Sequence, residues 1–142
     1  MSPRIAIRVD GNETIGMGHV MRCLSLADAL GRRHGARVVF VTRDFPAGVG
    51  RIERAKYPVL TLRAKAPWTE DRAALAELAG REGLDAIVTD LRELEPGYLP
   101  AMKATGAAVA VIDEWGRKEI AADLLTNGTA VPAWHAYTTV GP

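Results

Sequence analysis

The alternation of short β-rich runs with helix-period segments constrains this chain more than any other feature. "RIAIRVD" (4–10), "ARVVFVTRD" (36–44), "YPVLTLR" (57–63), "LDAIVTD" (84–90) and "AVAVIDE" (108–114) read as strands, and "ADLLTNG" (122–128) as a shorter sixth. Helical periods fill the gaps. From about His19 to Arg33, the residues Val20, Cys23, Leu24, Ala27 and Leu30 form one stripe, and Gly35 supplies a stop after Arg32, Arg33 and His34. Pro46 opens a short helix through Ala55, weakened by Gly48 and Gly50. In "PWTEDRAALAELAGREG", Thr69 is expected to cap and Glu70 and Asp71 load the first turn. Leu75, Leu78 and Ala79 form the buried stripe there, and Gly83 ends it. A fourth helix falls near 95–105. Parallel neighbours need crossover connections, so this order predicts an α/β fold: a Rossmann-like open parallel sheet with helices on both faces.

The chain of 142 residues is one domain long, and residues 1–142 are read as a single Rossmann-like domain. Its 18 basic and 17 acidic residues give a net charge of +1, which argues against nucleic acid or an anionic membrane as the main partner. No apolar run approaches the roughly 18–20 residues of a membrane span. The opening "MSPRIAIRVDG" lacks the apolar core of a signal peptide. A single cysteine, Cys23, excludes an internal disulfide and a multi-cysteine zinc site, and fits a reducing cytoplasm. The expected location is therefore cytoplasmic. From about residue 129 the segment "TAVPAWHAYTTVGP" has no clean periodicity; it either lies back across the domain or, the favoured expectation, leads towards a further domain.

Three strands end in an acid: Asp10, Asp90 and Asp113. In open α/β sheets the carboxyl ends of the strands border the binding crevice. These acids are expected to gather on one edge with the 11–18 loop, although aspartate also favours strand exits for purely local reasons. The loop holds Gly16-Met17-Gly18, followed by His19 and Arg22.

Three chemistries fit parts of this loop. Gly16-Met17-Gly18 begins a dinucleotide fingerprint, but Met21 stands at the third glycine position and five residues separate the glycines from Asp10. Asp44 would then be the ribose acid. "DGNET" echoes the D-x-D-x-T loop of haloacid-dehalogenase-type phosphatases, but Asn12 replaces the second carboxylate. The third reading takes the residues together. Gly16 and Gly18 allow close backbone approach, and the helix N-terminus offers unpaired N–H groups to an anionic or polar ligand. The positive helix end disfavours imidazolium and leaves His19 able to accept a proton. Asp10 is expected to hold the other ring nitrogen. Arg22, three residues on, falls on the same side as His19. The remaining polar and aromatic residues read more plainly: Cys23 as core, His34 and His135 as surface, and Trp68, Trp115 and Trp134 as packing at the domain edge, with a place in the cleft wall as the alternative for Trp115.

The stretch "DGNETIGMGHVMRCLSLADAL" resembles the opening of the UDP-2,4-diacetamido-2,4,6-trideoxy-β-L-altropyranose hydrolases of pseudaminic acid synthesis. It is similar also to their relatives in spore-coat polysaccharide biosynthesis. More distantly, it looks like the glycine loop of the transferase that adds N-acetylglucosamine to the peptidoglycan lipid precursor. The pattern D-x5-G-x-G-H-x-x-R-C appears as Asp10, Gly16, Gly18, His19, Arg22 and Cys23. "AIVTD", "VAVIDEWG" and "ADLLTNGT" resemble later family segments.

The resemblance implies the N-terminal half of a GT-B architecture, with a C-terminal domain or partner chain gripping most of a UDP-sugar. It implies His19 as the general base for hydrolysis, and Asp10, Gly16, Met17, Gly18, Arg22, Asp90 and Asp113 on the substrate side. It implies no metal and no cofactor. A glycosyltransferase of polysaccharide biosynthesis, or a non-catalytic half that binds a partner, are the other functions the same resemblance allows. The chain departs from the family where Leu91-Arg92 follow Asp90 in place of His-Tyr, and where Asp113-Glu114 replace Asp-Asp.

Overall fold

The computed structural model describes residues 1–116 and 119–139. Five crossovers build one parallel sheet from β1 (Arg4–Val9), β2 (Arg37–Arg43), β3 (Val59–Leu62), β4 (Ala86–Asp90), β5 (Ala108–Ile112) and β7 (Leu124–Thr126). Their spatial order is β3-β2-β1-β4-β5-β7, and every pairing is parallel. The order turns at β1, so β1 and β4 run side by side at the centre, where a doubly wound sheet opens its crevice.

The pleat sends alternate residues of each strand to opposite faces. Ile5, Ile7 and Val9 pack with Val20, Cys23, Leu24 and Ala27 of α1 (Gly18–His34) and Ile52 of α2 (Pro46–Arg54). Ala6, Val41, Ile87 and Val109 meet Leu75 and Leu78 of α3 (Trp68–Glu82) and Tyr98, Leu99 and Met102 of α4 (Tyr98–Lys103). Both faces are thus covered, as the unbroken apolar strands require.

Gly35 and Gly83 end α1 and α3 in the left-handed conformation, as their positions predict. Other boundaries differ. Pro67, not Thr69, is the N-cap of α3, because proline's fixed φ already suits the helix entry. Asp71 does not face solvent at the helix dipole but is fully buried. The helix expected over 95–105 shortens to Tyr98–Lys103, since Pro96 and Gly97 delay its start.

The tail turns back on the domain through a 3₁₀ turn at Pro132–His135, and β8 (Thr138–Thr139) pairs with β6 (Glu119–Ile120). The 140–142 end of the expected tail lies outside the described residues.

Candidate active site

At the carboxyl edge, the first loop is shaped by one side chain. Asn12 Oδ1 accepts the N–H groups of Thr14 (2.9 Å) and Ile15 (2.7 Å), and Gly16 N–H closes the turn on Asn12 O at 2.7 Å. Gly16 takes φ +86°, which a side chain would strain. Asn12 Oδ1 is committed to this turn. Gly18 differs: a Cβ there would meet nothing within 4 Å, so folding makes no demand for glycine at that position. Met17 packs on the α1 side of the core and contacts the loop at Gly11. Met17 as N-cap makes no side-chain hydrogen bond and the first turn holds no acid, leaving the first N–H groups of α1 without a side-chain cap.

His19 stands in that first turn and lines a cleft of about 320 Å³ with Asp10, Arg43, Trp68, Asp90 and Arg92 among its walls. Its Nδ1 lies 2.7 Å from Asp90 Oδ1. Asp90, not Asp10, is therefore the ring's partner. The reason is the pleat: Asp10 follows Arg8 onto the α3 face, while Asp90 ends β4 on the α1 face beneath the histidine. Asp10 is taken up by Arg8 (2.6 and 3.0 Å), the Arg43 N–H (2.8 Å) and Thr42 Oγ1 (3.3 Å).

Arg22 reaches the same side as His19, as its spacing predicts. Nε donates to Asp90 Oδ2 at 2.5 Å and Nη2 to Oδ1 at 2.6 Å, while Nη1 donates to Glu114. Cys23 Sγ approaches Asp90 Oδ2 at 3.5 Å. Asp90 is only 1% exposed and receives donors on both oxygens, so its carboxylate holds neighbours and presents no free edge to a ligand. Burial alone would raise its pKa, but the hydrogen bonds from Arg22 and His19 outweigh that and hold it below the ordinary carboxylate value. Burial and the Asp90 charge push the Cys23 thiol well up, which agrees with a core role.

Asp113 does not join this group. It is 1% exposed and accepts the Gly116 N–H (2.9 Å) and the Tyr137 hydroxyl (2.7 Å). Consecutive residues leaving β5 diverge, and Glu114 is the acid that turns to Arg22.

The sequence reading missed the buried ion network under the cleft. Arg8, wholly buried, donates from Nη2 to Asp71 at 2.7 Å and from Nη1 to Asp10 at 2.6 Å, and the Tyr98 hydroxyl donates to Asp71 at 2.7 Å. Asp10 and Asp71 hold the guanidinium firmly charged despite the opposing cost of burial. A charge in the middle of an apolar parallel strand was the available signal. Two cation–π pairs flank the cleft, Arg43 over Trp68 at 5.1 Å and Arg92 over Trp115 at 5.5 Å. Asp44, the ribose acid of a dinucleotide site, is exposed beyond the cleft lining. A larger hollow of about 420 Å³ sits at the opposite, amino edge of the sheet near Arg4, Arg37 and Leu78, away from the histidine.

No family model matches the chain, and no curated protein matches it. Among solved structures, it is similar to MurG of Acinetobacter baumannii, with a TM-score of 0.63 and 11% identity over 79% of this chain and 35% of that one. It is similar also to a glycosyltransferase from Rickettsia africae ESF-5, with a TM-score of 0.58 and 15% identity over 79% of this chain and 30% of that one. The chain thus spans about a third of the length of each, and likeness at such identity is likeness of fold. The fold they share is Rossmann-like α/β, an all-parallel sheet covered by helices on both faces.

Proposed function

We propose that this domain is the sugar-side half of a GT-B-type enzyme that hydrolyses a UDP-activated amino sugar in surface polysaccharide or nonulosonic acid synthesis. The observation that carries the reading is His19, held by Asp90 on the uncapped end of α1 and opening onto a cleft. Water attacks the anomeric carbon, its proton passes to His19, and the bond from that carbon to the diphosphate oxygen breaks with inversion. The N–H groups of α1 and the open space over Gly18 give sugar or phosphate oxygens a place to approach. The second half of the cleft comes from a C-terminal domain or partner chain, in keeping with the third of each neighbour's length that this chain spans. A reducing cytoplasm suits the lone thiol.

A glycosyltransferase is the second reading, favoured by the Rickettsia africae neighbour, itself a glycosyltransferase. There an acceptor hydroxyl takes the place of water. The test is to incubate the chain, alone and with the polypeptide that completes the cleft, with UDP-N-acetyl amino sugars. Release of UDP with free sugar, lost in His19→Ala, supports hydrolysis. Release only on adding an acceptor supports transfer. A chain that binds its partner while neither reaction appears is a docking module.

A further inference from the structure

Three facts about the His19 ring do not follow from its being a base. Nδ1 lies 2.7 Å from Asp90 Oδ1, a contact that two bare acceptors would not make. Arg22 Nη2 lies 3.1 Å from the same nitrogen, yet is closer, at 2.6 Å, to Asp90 Oδ1. Among the described residues no group bonds Nε2, and Nε2 is not one of the sealed polar atoms without a partner.

We infer that Asp90 fixes His19 as the Nδ1–H tautomer, with Nε2 bare towards the cleft, and that Arg22 and Glu114 hold Asp90 in place to do so. The alternative tautomer has Arg22 Nη2 donating to a bare Nδ1. It would set that lone pair against an ionised carboxylate at 2.7 Å, and Asp90 is kept ionised by the arginine itself. With the proton on Nδ1, both Nδ1–H and Nη2–H donate to Oδ1, and the 3.1 Å separation is that of two donors sharing one acceptor. Nε2 is then the atom that takes the proton from water, while the Nδ1 proton stays where it is.

Glu114 has the outer place in this relay. Arg22 alone would neutralise Asp90. With Glu114 on its Nη1, the arginine is shared between two carboxylates, and the group of three keeps one net negative charge facing the ring. A proton arriving at Nε2 brings the whole cluster to neutrality. Asp90, Arg22 and Glu114 are positioning residues, and none of them needs to touch the substrate. The tautomer rests on the contacts around Nδ1 and the charge of Asp90; only the identity of the proton donor rests on the hydrolase reading.

The test is nitrogen-15 NMR of the imidazole rings in the whole chain at alkaline pH, with His19→Gln to assign the signals. The expected result is a protonated Nδ1 with a downfield, slowly exchanging proton and an unprotonated Nε2. Asp90→Asn removes the carboxylate charge that draws the Nδ1 proton, so whichever way the amide turns the downfield signal should shift upfield and exchange faster. Glu114→Gln, at a half-exposed position, should keep the tautomer but broaden that proton by faster exchange with water. An Nε2–H tautomer in the parent chain overturns the inference, as does an unchanged spectrum in a folded Asp90→Asn. If the spectra come out as expected while no UDP-sugar is hydrolysed, the hydrolase reading fails and the tautomer assignment stands.

Discussion

His19 owes its setting to side chains from three distant parts of the chain, and single substitutions separate their contributions. Asp90 is held below its ordinary pKa in the folded state, so the stability it contributes is present above about pH 3.9 and is lost as pH falls through the folded value. The gap in denaturation free energy between the parent and Asp90→Asn should therefore narrow between pH 5 and pH 2, and a constant gap would exclude this linkage. Cys23 behaves oppositely. Its raised thiol stays protonated when folded, so stability should decline once the unfolded thiol ionises above about pH 8.5. An aromatic disulfide reagent at pH 8 should label it only in denaturant, and rapid native labelling would place it outside the core. The two loop glycines should part company. Gly16→Ala, at φ +86°, is expected to cost about 1 kcal/mol, while Gly18→Ala should leave the melting temperature nearly unchanged and still cut turnover. A normal rate in folded Gly18→Ala would remove the case for ligand approach there. At this scale the placing of Arg22 on the side of His19 and the need for glycine at Gly16 were legible in the sequence, because each depends on local spacing or backbone. Sequence reasoning assigned the second ring nitrogen of His19 to Asp10 where Asp90 meets it, because which acid meets which base depends on strand parity across the sheet.

Helices and strands were legible because nearly every one carries its own signal: an apolar run, a stripe, a terminal glycine. The link between β1 and α3 carries none. Arg8 on the strand and Asp71 on the helix are 63 residues apart and meet with both side chains at 0% exposure. Asp71→Ala leaves an uncompensated buried guanidinium, for which the expected cost is roughly 3–5 kcal/mol, seen as a large drop in the urea midpoint. Tyr98→Phe removes one donor from the same carboxylate and should cost about 1 kcal/mol. If Asp71→Ala were the milder of the two, the network would not be holding the helix to the strand. The short α4 and the cap at Pro67 escaped the periodicity because proline geometry, not apolar pattern, sets where those helices begin.

Over the whole molecule, the parallel sheet with helices on both faces followed from the order of elements and the rule for parallel crossovers, whereas the order of its strands did not. Two of the three strand-end acids, Asp10 and Asp90, marked the edge where the cleft lies, and Asp113 does not line it. The return of the tail did not follow from such signals, since it depends on the Tyr137 hydroxyl reaching Asp113 and Asn127 rather than on any period. Amide exchange should rank these parts: slowest in β1 and β4, paired on both sides at the centre, and fastest in the two-residue strands β6 and β8. Equal protection throughout would contradict the layered arrangement.

The buried cation of β1 also sets a timetable for the nascent polypeptide. Until residue 71 has left the ribosome and docked, the first strand carries a permanent charge whose second counter-ion does not yet exist. Truncations ending near residue 66 should remain unstructured even though they hold two complete strand–helix units, and cooperative burial should begin only once the third helix has been synthesised.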